Sequence, residues 1–396
     1  MTNQRIFYVL MLLISLVAVG QMAQTIYVPS ITTMSRDLMV REGALQRLMA
    51  AYLLCYGVSQ LIYGPLSDRI GRRPVILCGM GIFCVGALMA LLSYSLSLII
   101  LAGAIQGTGT GVGGVMARTL PRDICDGREL RRANGLLNMG ILVSPLLAPV
   151  IGGILSDWLG WRACFAFLLL LSSTVSLLVW FYLPETRPVR PANSSGSFGF
   201  CRLLGDKMFN HFLLILVGGL AGIVAFEASS GVLLKSMGIS SREVSLLFIL
   251  PLPGTFLGAW YVGRSARPFN GLMWRAVLSC LTAGVLMWLP AWFGVMTLWT
   301  LLLPAGLFFF GAGMLFPLAT TGAMEPYTYL AGTAGALVGG IQNIGSGIVA
   351  GFSSLLPQNG QFSLGMVTFA MGMLILLCWL PLSISQSMQR QGPELI

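Results

Sequence analysis

Long, uninterrupted apolar stretches recur along the whole chain. A helix that crosses a bilayer needs about 20 mostly apolar residues, and twelve segments of the 396-residue sequence meet that requirement. They lie at about 7–28, 44–66, 74–93, 96–119, 133–157, 162–183, 209–231, 242–264, 272–290, 297–319, 330–355 and 363–386. Charged residues make up only 9% of the chain, far below the share in soluble domains. The sequence therefore predicts an all-α integral membrane protein with twelve transmembrane helices.

The basic residues predict which side of the membrane each loop occupies. The first segment follows Arg5 and continues without a small-residue cleavage site, so we interpret it as a retained helix rather than a signal peptide. With the N-terminus in the cytoplasm, 17 Lys and Arg residues lie in or beside cytoplasmic segments and 6 lie outside. The positive-inside rule favours this orientation, and both termini are expected in the cytoplasm. The net charge of +10 then sets topology and meets lipid headgroups, so it requires no nucleic-acid partner.

One long connection divides the segments six and six. Residues 184–208 are rich in Pro, Ser, Gly and Arg, and we interpret them as a cytoplasmic linker between six-helix bundles at 1–183 and 209–396. YGPLSDRIGRRP at 63–74 aligns without gaps to LGAWYVGRSARP at 257–268, with three identities at an offset of 194. Both stretches connect the second and third helices of their half. The pattern indicates duplicated halves with pseudo-twofold symmetry, one of the ways in which secondary transporters are built.

A short motif between the second and third segments points to a family. The stretch GPLSDRIGRRP resembles the signature of the major facilitator superfamily, in which a glycine precedes Asp-Arg, a further glycine and basic residues. The matching positions are Gly64, Asp68, Arg69, Gly71, Arg72 and Arg73. Physically, the first glycine permits close helix approach, the aspartate can cap and pair, and the arginines hold the loop in the cytoplasm. A plain positive-inside turn is the alternative. The resemblance implies the major facilitator fold and a conformational role for this motif.

The fifth segment carries a second motif, SPLLAPVIGG. Pro149, Gly152 and Gly153 match the Gly-Pro-x-x-Gly-Gly signature of drug:proton antiporters in this superfamily, with Ala148 in place of the first glycine. Glycine and proline in a spanning helix permit close packing and a bend, so a simple packing seam is the alternative. In the family the motif is associated with export.

The chain also resembles multidrug efflux members of the superfamily over essentially its whole length, including MARTLPRD at 116–123 and VGQMAQTIYVP at 19–29. This resemblance implies a proton-driven exporter in a bacterial inner membrane that works as a monomer. Two positions depart from the family. Gly103 stands where the fourth helix commonly carries an arginine, and Thr25 stands where related antiporters often have an aspartate. Both losses concentrate the proton chemistry on fewer groups.

One carboxylate lies deep in a predicted span. Glu227 sits within GGLAGIVAFEASSGVLL, whereas the other twelve acidic residues fall in loops or at segment edges. An acid at that depth costs at least about 2.5 kcal/mol on insertion scales, so it is a functional candidate by default. Burial disfavours the charged form of a carboxyl group, and we therefore expect Glu227 to couple proton movement to transport or to recognise cations. A glutamate that only tunes affinity in a wet cavity, or one that only bonds neighbouring helices, is the alternative.

Polar and aromatic side chains in other segments are candidates for a substrate cavity. Tyr52, Tyr56 and Gln60 recur at intervals of four and share one helix face with Tyr63. Tyrosine rings suit flat lipophilic cations, although a place in the interfacial aromatic belt is the alternative for the outer two. The other candidates, for which interhelical hydrogen bonding is the alternative, are Gln21, Gln24 and Thr25 in the first segment and Gln342, Asn343 and Ser346 in the eleventh.

Two further features lie in the tenth and fourth segments. Phe308, Phe309 and Phe310 cover most of a helix circumference, so at least one, with Phe308 as our choice, is expected to face the cavity. Arg118 either pairs with Asp123 or a substrate, or serves as a snorkelling anchor at the membrane surface, which we favour. The glycines near Arg118 predict tight helix packing rather than nucleotide binding, because no Gly-Lys-Ser/Thr follows them.

These features favour a secondary exporter of hydrophobic or cationic amphipathic compounds, driven by protons through alternating access. A proton-coupled uptake carrier for a small metabolite is the alternative. An enzyme is disfavoured because one histidine and one deep carboxylate form no catalytic constellation. No Cys-x-x-Cys occurs, so we expect neither a metal site nor a cofactor. The expected partners are small molecules, protons and membrane lipids.

Overall fold

The computed structural model describes residues 3–125, 127–186, 196–239, 241–357 and 360–391, and no β-strand occurs within these ranges. Three short 3-10 helices lie at Val28–Ser30, Glu42–Leu45 and Glu325–Leu330. The α-helices of the described ranges are α1 (Asn3–Thr25), α2 (Ile31–Asp37), α3 (Gln46–Ile70), α4 (Arg72–Leu91), α5 (Leu96–Ile124), α6 (Gly127–Leu159), α7 (Arg162–Tyr182), α8 (Gly196–Leu204), α9 (Lys207–Ser236), α10 (Ser241–Ile249), α11 (Leu252–Arg264), α12 (Phe269–Trp292), α13 (Leu298–Met324), α14 (Ala331–Ser353) and α15 (Phe362–Gln391).

Each of the twelve predicted segments falls in a helical stretch. In the described part of the chain, ten stretches are long and apolar enough to cross a membrane, and each matches one predicted segment. The other two segments, 44–66 and 133–157, lie in α3 and α6. Helix α3 is less apolar than its neighbours because it carries the tyrosine and glutamine stripe. The predicted all-α membrane fold is confirmed.

Two predicted segments are broken rather than continuous. The first was predicted to end at 28, but its apolar stretch extends from Ile6 to Asp37. Helix α1 ends at Thr25, and a 3-10 turn containing Pro29 precedes α2. The eighth segment is divided into α10 and α11 at Pro251, the N-cap of α11. Proline has no backbone N–H to continue a helical ladder, which accounts for both breaks.

The seventh segment is longer than predicted. Its apolar stretch was expected at 209–231, whereas α9 runs from Lys207 to Ser236. At 1.5 Å per residue, Glu227 lies about 14 Å from the C-terminal end of the helix, close to half the thickness of a bilayer core. The predicted linker at 184–208 contains a short helix, α8, which the sequence did not predict. Residues 187–195 of the predicted linker lie outside the described residues.

The described helices group into two compact units. The first comprises Met1–Gly196, Glu227–Ile249 and Gly335–Leu355, and the second comprises Ser197–Phe226, Leu250–Ala334 and Leu356–Ile396. The first unit therefore contains the whole predicted N-terminal bundle and parts of three predicted segments of the C-terminal one, the seventh, eighth and eleventh. The division at 184–208 stays a prediction.

Close helix packing in both units depends on glycine. In the first unit, a Cβ added to Gly109 of α5 would lie 2.6 Å from the carbonyl oxygen of Gly79 of α4. In the second, a Cβ added to Gly284 of α12 would lie 2.5 Å from Cα of Phe369 in α15. No side chain fits at either crossing. The small-residue packing predicted for the glycines of the fourth segment is confirmed.

Candidate functional site

Glu227 lies inside the first unit with a defined hydrogen-bond donor. Its side chain is 4% exposed, and Nε2 of Gln24 in α1 donates a hydrogen bond to its Oε2 at 2.9 Å. A buried carboxylate needs such donors, because leaving it unpaired in an apolar interior is costly. The structure thus brings together two residues 203 positions apart, each of which the sequence had singled out separately.

Further polar groups line the contact between α9 and the break after α1. The carbonyl oxygen of Val28 lies 2.9 Å from the place of a Cβ added to Gly231, so the two backbones approach closely. Three buried hydroxyl oxygens in this part of the fold have no hydrogen-bond partner within the described residues: those of Thr25, Tyr27 and Ser230. Buried hydroxyl groups of this kind are usual partners of ordered water.

The tyrosine stripe of α3 faces protein. Tyr52, Tyr56, Gln60 and Tyr63 are 4%, 8%, 1% and 5% exposed, so the predicted common face is confirmed and none of the four faces lipid. The rings of Tyr52 and Tyr56 stack at 5.8 Å. The Tyr52 hydroxyl donates to the carbonyl oxygen of Gly20 at 2.7 Å and lies 2.9 Å from Oγ1 of Thr110. The bond to Gly20 places the stripe beside α1. Gly20 directly precedes Gln21, which is half-buried.

At the other end of the stripe, a glutamine and an arginine lie against α14. A Cβ added to Gly339 would lie 2.5 Å from Oε1 of Gln60 and would also meet Nη1 of Arg118. That Nη1 donates to the carbonyl oxygen of Gly335 at 2.7 Å. Arg118 is nevertheless exposed, so its role as a snorkelling anchor stays a prediction. Its alternative pairing with Asp123 is not among the described ion pairs, in which Asp123 pairs with Arg72.

The polar residues of the eleventh segment bond to their own helix. Nδ2 of Asn343 donates to the carbonyl oxygen of Gly339 at 2.7 Å, and the Ser346 hydroxyl donates to the carbonyl oxygen of Gln342 at 2.8 Å. Such bonds within one helix satisfy the polar groups locally. The alternative interpretation of the segment required side-chain bonds that join different helices. These two bonds do not join different helices.

Phe308 lies in the second unit. It is 1% exposed, and its ring would meet a Cβ added to Gly222. Phe309 is equally buried and meets Phe226 edge-on at 5.6 Å, whereas Phe310 is half-buried. The close contact between Phe308 and Gly222 is typical of a residue that packs helices together. The place of Phe308 in a substrate cavity stays a prediction.

The signature motif forms a charge network at the junction of α3 and α4. Arg72 is buried, and its guanidinium donates to Oδ1 of Asp68 at 2.7 Å, to Oδ2 of Asp123 at 2.9 Å and to Oγ of Ser67 at 2.6 Å. The Asp68 side chain is 58% exposed and that of Asp123 only 8%. Asp68 pairs as predicted. Arg72 is a buried ion-pair partner, and the predicted role of the three arginines in holding the loop in the cytoplasm stays a prediction.

A third carboxylate, Glu185, follows α7 and binds the backbone of the same turn. The backbone N–H groups of Arg72 and Arg73 donate to Oε1 and Oε2 of Glu185 at 2.8 and 3.2 Å. Gly71, which joins α3 to α4, adopts φ +117°, and a Cβ there would lie 2.7 Å from Glu185 Oε2. Sequence reasoning missed Glu185 and the role of Asp123, because neither lies in the motif and nothing in a single sequence links them to it.

The remaining motif residues differ in their surroundings. The Arg73 guanidinium donates to the Trp180 carbonyl oxygen and lies over its ring at 5.6 Å, whereas Arg69 is exposed at the end of α3. A Cβ added to Gly64 would meet no described atom within 4 Å. The close helix approach expected at Gly64 is therefore not seen in this structure.

The antiporter motif lies in α6. Pro149, Gly152 and Gly153 are buried, and a Cβ added to Gly152 would overlap the carbonyl oxygen of Ile26. Gly152 thus forms part of a packing seam between α6 and the end of α1, as one interpretation of the motif expected. Within the described residues, no cluster of three or more His, Cys, Asp or Glu side chains could hold a metal ion.

Comparison with known proteins identifies the family. The sequence profile of the Major Facilitator Superfamily matches residues 13–350. Multidrug resistance protein D of Escherichia coli (strain K12) is 61% identical over 99% of this chain and 100% of its own length. The chloramphenicol resistance protein of Pseudomonas aeruginosa is 30% identical over 86% of this chain and 82% of its own.

A solved structure of the multidrug transporter EmrD from Escherichia coli is 58% identical and covers 93% of this chain and 99% of that one, with a TM-score of 0.43. The two sequence relatives cover most of this chain at 30% identity or more. The family profile alone spans well over half of the residues. The family profile and the two sequence relatives confirm the resemblance inferred from the two motifs and the predicted fold class. The chain belongs to the Major Facilitator Superfamily.

Proposed function

We propose that the protein is a proton-driven multidrug exporter, a drug:proton antiporter that moves hydrophobic or cationic amphipathic compounds outward by alternating access. Support comes from relatives whose names state multidrug resistance and chloramphenicol resistance. Those names favour export over the uptake carrier that the sequence left open. The proposed setting is a bacterial inner membrane, with both termini in the cytoplasm and the monomer as the working unit.

The observation that carries the proposal is the buried pair of Glu227 and Gln24. Glu227 is 4% exposed in a membrane-spanning helix and accepts a hydrogen bond from an uncharged donor, the Gln24 amide. No ion pair within the described residues neutralises it. A carboxyl group held by a neutral donor can exist with or without its proton, whereas one paired with an arginine is held in the charged form. Glu227 is therefore the proposed proton-coupling residue.

The proposed substrate surface includes the tyrosine stripe and the polar residues beside it. Tyr52 and Tyr56 offer stacked rings for flat or cationic compounds, and Gln21, Gln24 and Gln60 offer amide donors and acceptors. Gln24 belongs to both groups, so a bound cation and a proton would compete through one amide and one carboxylate. Such competition is what exchange of drug for proton requires. Phe308 remains a proposed cavity residue.

The two sequence motifs are proposed to control the conformational change. The signature motif of Gly64, Asp68, Arg69, Gly71, Arg72 and Arg73 includes a buried arginine whose ion-pair partners come from α3 and α5. Ion pairs of this kind can hold one arrangement of helices and release it in another. The seam at Pro149, Gly152 and Gly153 sets how closely α6 follows the end of α1. The proposed partners are drug-like small molecules, protons and lipids.

The decisive experiment uses purified protein in liposomes under an imposed pH gradient. Flux of a lipophilic cation, such as tetraphenylphosphonium, and movement of protons are followed together for the wild type and for Glu227→Gln. We expect drug-dependent proton flow in the wild type and its loss in the variant, in which drug binding is weakened by the lost charge but no longer depends on pH. Asp157→Asn makes the same acid-to-amide change at an exposed position, and it should leave coupling unchanged.

Two results would contradict the proposal at different levels. Coupling that survives Glu227→Gln would place the proton site on another group while leaving the antiporter interpretation intact. Drug flux in the wild type that ignores the pH gradient would overturn proton-driven export itself.

A further inference from the structure

A groove opens in the second unit, and Phe310 is the one lining residue that has been discussed so far. It has a volume of about 480 Å³ and is lined by Tyr261, Arg275, Leu278, Ser279, Thr282, Leu307, Phe310 and Met314. These residues come from α11, α12 and α13. The α12 residues follow intervals of three and four, so they share one helix face. Leu278 is 51% exposed, and since α12 is a membrane-spanning helix, this face meets lipid.

The groove has a polar wall and an apolar wall. Nη1 of Arg275 donates a hydrogen bond to the Tyr261 hydroxyl. Ser279, one turn further along α12, adds a hydroxyl. Leu307, Phe310 and Met314 supply an apolar wall from α13. An arginine followed by an apolar trough matches the shape of a phospholipid, whose phosphate joins two hydrocarbon chains.

Arg275 has charge available for an anion. None of the ion pairs within the described residues involves it, and its one described hydrogen-bond partner is a neutral phenol. A guanidinium can donate two parallel hydrogen bonds to a phosphate. The side chain is half-buried beside the ring, which fixes its position at little further entropy cost on binding.

The position of Arg275 fits the headgroup level of a bilayer. It lies six residues into α12, about 9 Å along the axis from the helix start, on the predicted cytoplasmic side. Arg264, at the end of α11, is exposed and lies over the ring of Trp260 at 5.1 Å. Arg267 follows in the same connection and is also exposed. Basic pockets between spanning helices on this side typically bind anionic headgroups.

We propose that this groove binds one anionic phospholipid from the cytoplasmic leaflet, with the phosphate on Arg275 and an acyl chain along Leu278, Leu307 and Phe310. Arg264 and Arg267 add attraction for negative headgroups without forming the site. The lipid would fill the lipid-facing gap between α12 and α13. This site is independent of drug export, because none of its residues belongs to the proposed transport surface.

Native mass spectrometry of the purified protein in detergent tests the site, with phosphatidylglycerol as the probe and phosphatidylcholine as the zwitterionic comparison. We expect one phosphatidylglycerol to be retained preferentially by the wild type. Arg275→Gln should weaken its binding roughly five- to tenfold, because one cationic contact is lost. Arg47→Gln removes the same charge from an exposed position outside the groove and should change nothing.

A second variant tests the trough while the charge stays in place. Leu278→Trp fills the groove from an exposed position, and we expect it to displace the lipid although Arg275 remains. Equal retention by Arg275→Gln and the wild type would overturn the proposal, as would equal losses in Arg275→Gln and Arg47→Gln. Equal binding of phosphatidylcholine would do the same. Displacement of the lipid by glycerol 3-phosphate would assign the site to soluble phosphates instead.

Discussion

At the scale of single residues, the junction between α3 and α4 offers a sharp comparison of two glycines. Gly71 has φ +117° and lies against the carboxylate of Glu185, whereas Gly64, in the same motif, faces open space. Side chains rarely adopt the backbone conformation of Gly71. A Cβ there would also push away the carboxylate that accepts the N–H groups of Arg72 and Arg73.

We therefore predict that Gly71→Ala lowers the free energy of unfolding by roughly 1–3 kcal/mol. Gly64→Ala should not lower it, and the higher helix propensity of alanine should raise it slightly. Thermal unfolding of the two variants in detergent measures the difference. An unchanged unfolding temperature for Gly71→Ala would mean that the turn is not held as described. Reduced transport by a fully stable Gly64→Ala would show that a neighbour approaches Gly64 in another conformation.

The sequence predicts which individual residues belong to the candidate site, but it does not predict which of them contact one another. Glu227 stands out in the sequence because a charged group in an apolar span is expensive, and Gln24 stands out because it is polar in another span. Their contact at 2.9 Å depends on which faces of α1 and α9 meet. Helical periodicity orders residues within one helix but leaves the pairing of helices open. For the same reason, the contact of Glu185 with the turn between α3 and α4 could not be predicted from the sequence.

At the scale of helices, the contact between α3 and α14 depends on one close approach. A Cβ added to Gly57 would lie 2.5 Å from the carbonyl oxygen of Gly340 and 2.8 Å from the backbone nitrogen of Ile344. Both are backbone atoms, so the helices themselves must separate to admit a methyl group. Gly81 in α4 is an exposed helical glycine with nothing within 4 Å of an added Cβ.

We predict that Gly57→Ala destabilises the protein by roughly 1–3 kcal/mol through overpacking and slows drug efflux. Gly81→Ala should keep both properties, since it adds a methyl group where there is room. Thermal unfolding and efflux of a fluorescent drug from cells measure the two effects. Equal behaviour of the variants would show that α3 and α14 do not pack at this distance in the membrane.

Segment positions were predictable because twenty-residue apolar stretches are a strong signal, whereas helix ends and breaks were not. The sequence placed the end of the seventh span at 231, yet α9 continues to Ser236. SSGVLLKS is polar enough to resemble a membrane boundary, but in the structure Ser229 and Ser230 are 2% and 0% exposed. Burial against protein rather than contact with lipid accounts for the longer helix. Tertiary contacts of this kind cannot be seen in hydropathy.

At the scale of the whole molecule, the predicted orientation in the membrane rests on the distribution of basic residues. It places Met39 outside the cell and Cys201 inside. Met39 is 93% exposed and follows α2, while Cys201 is exposed in α8. Cys78, the other exposed cysteine of the described chain, lies in the membrane-spanning α4. A charged maleimide should therefore not reach it from water.

We predict that a membrane-impermeant maleimide leaves the wild-type protein unlabelled in intact cells with a permeabilised outer membrane and labels Met39→Cys there. In inside-out vesicles the wild type should react, through Cys201, and Cys201→Ser should remove that reaction. The two preparations expose opposite faces, so each serves as the control for the other. Labelling of the wild type in intact cells, abolished by Cys201→Ser, would reverse the orientation. The direction of the proposed exchange would still follow the proton gradient, so a reversed orientation would change only which loops face the cytoplasm.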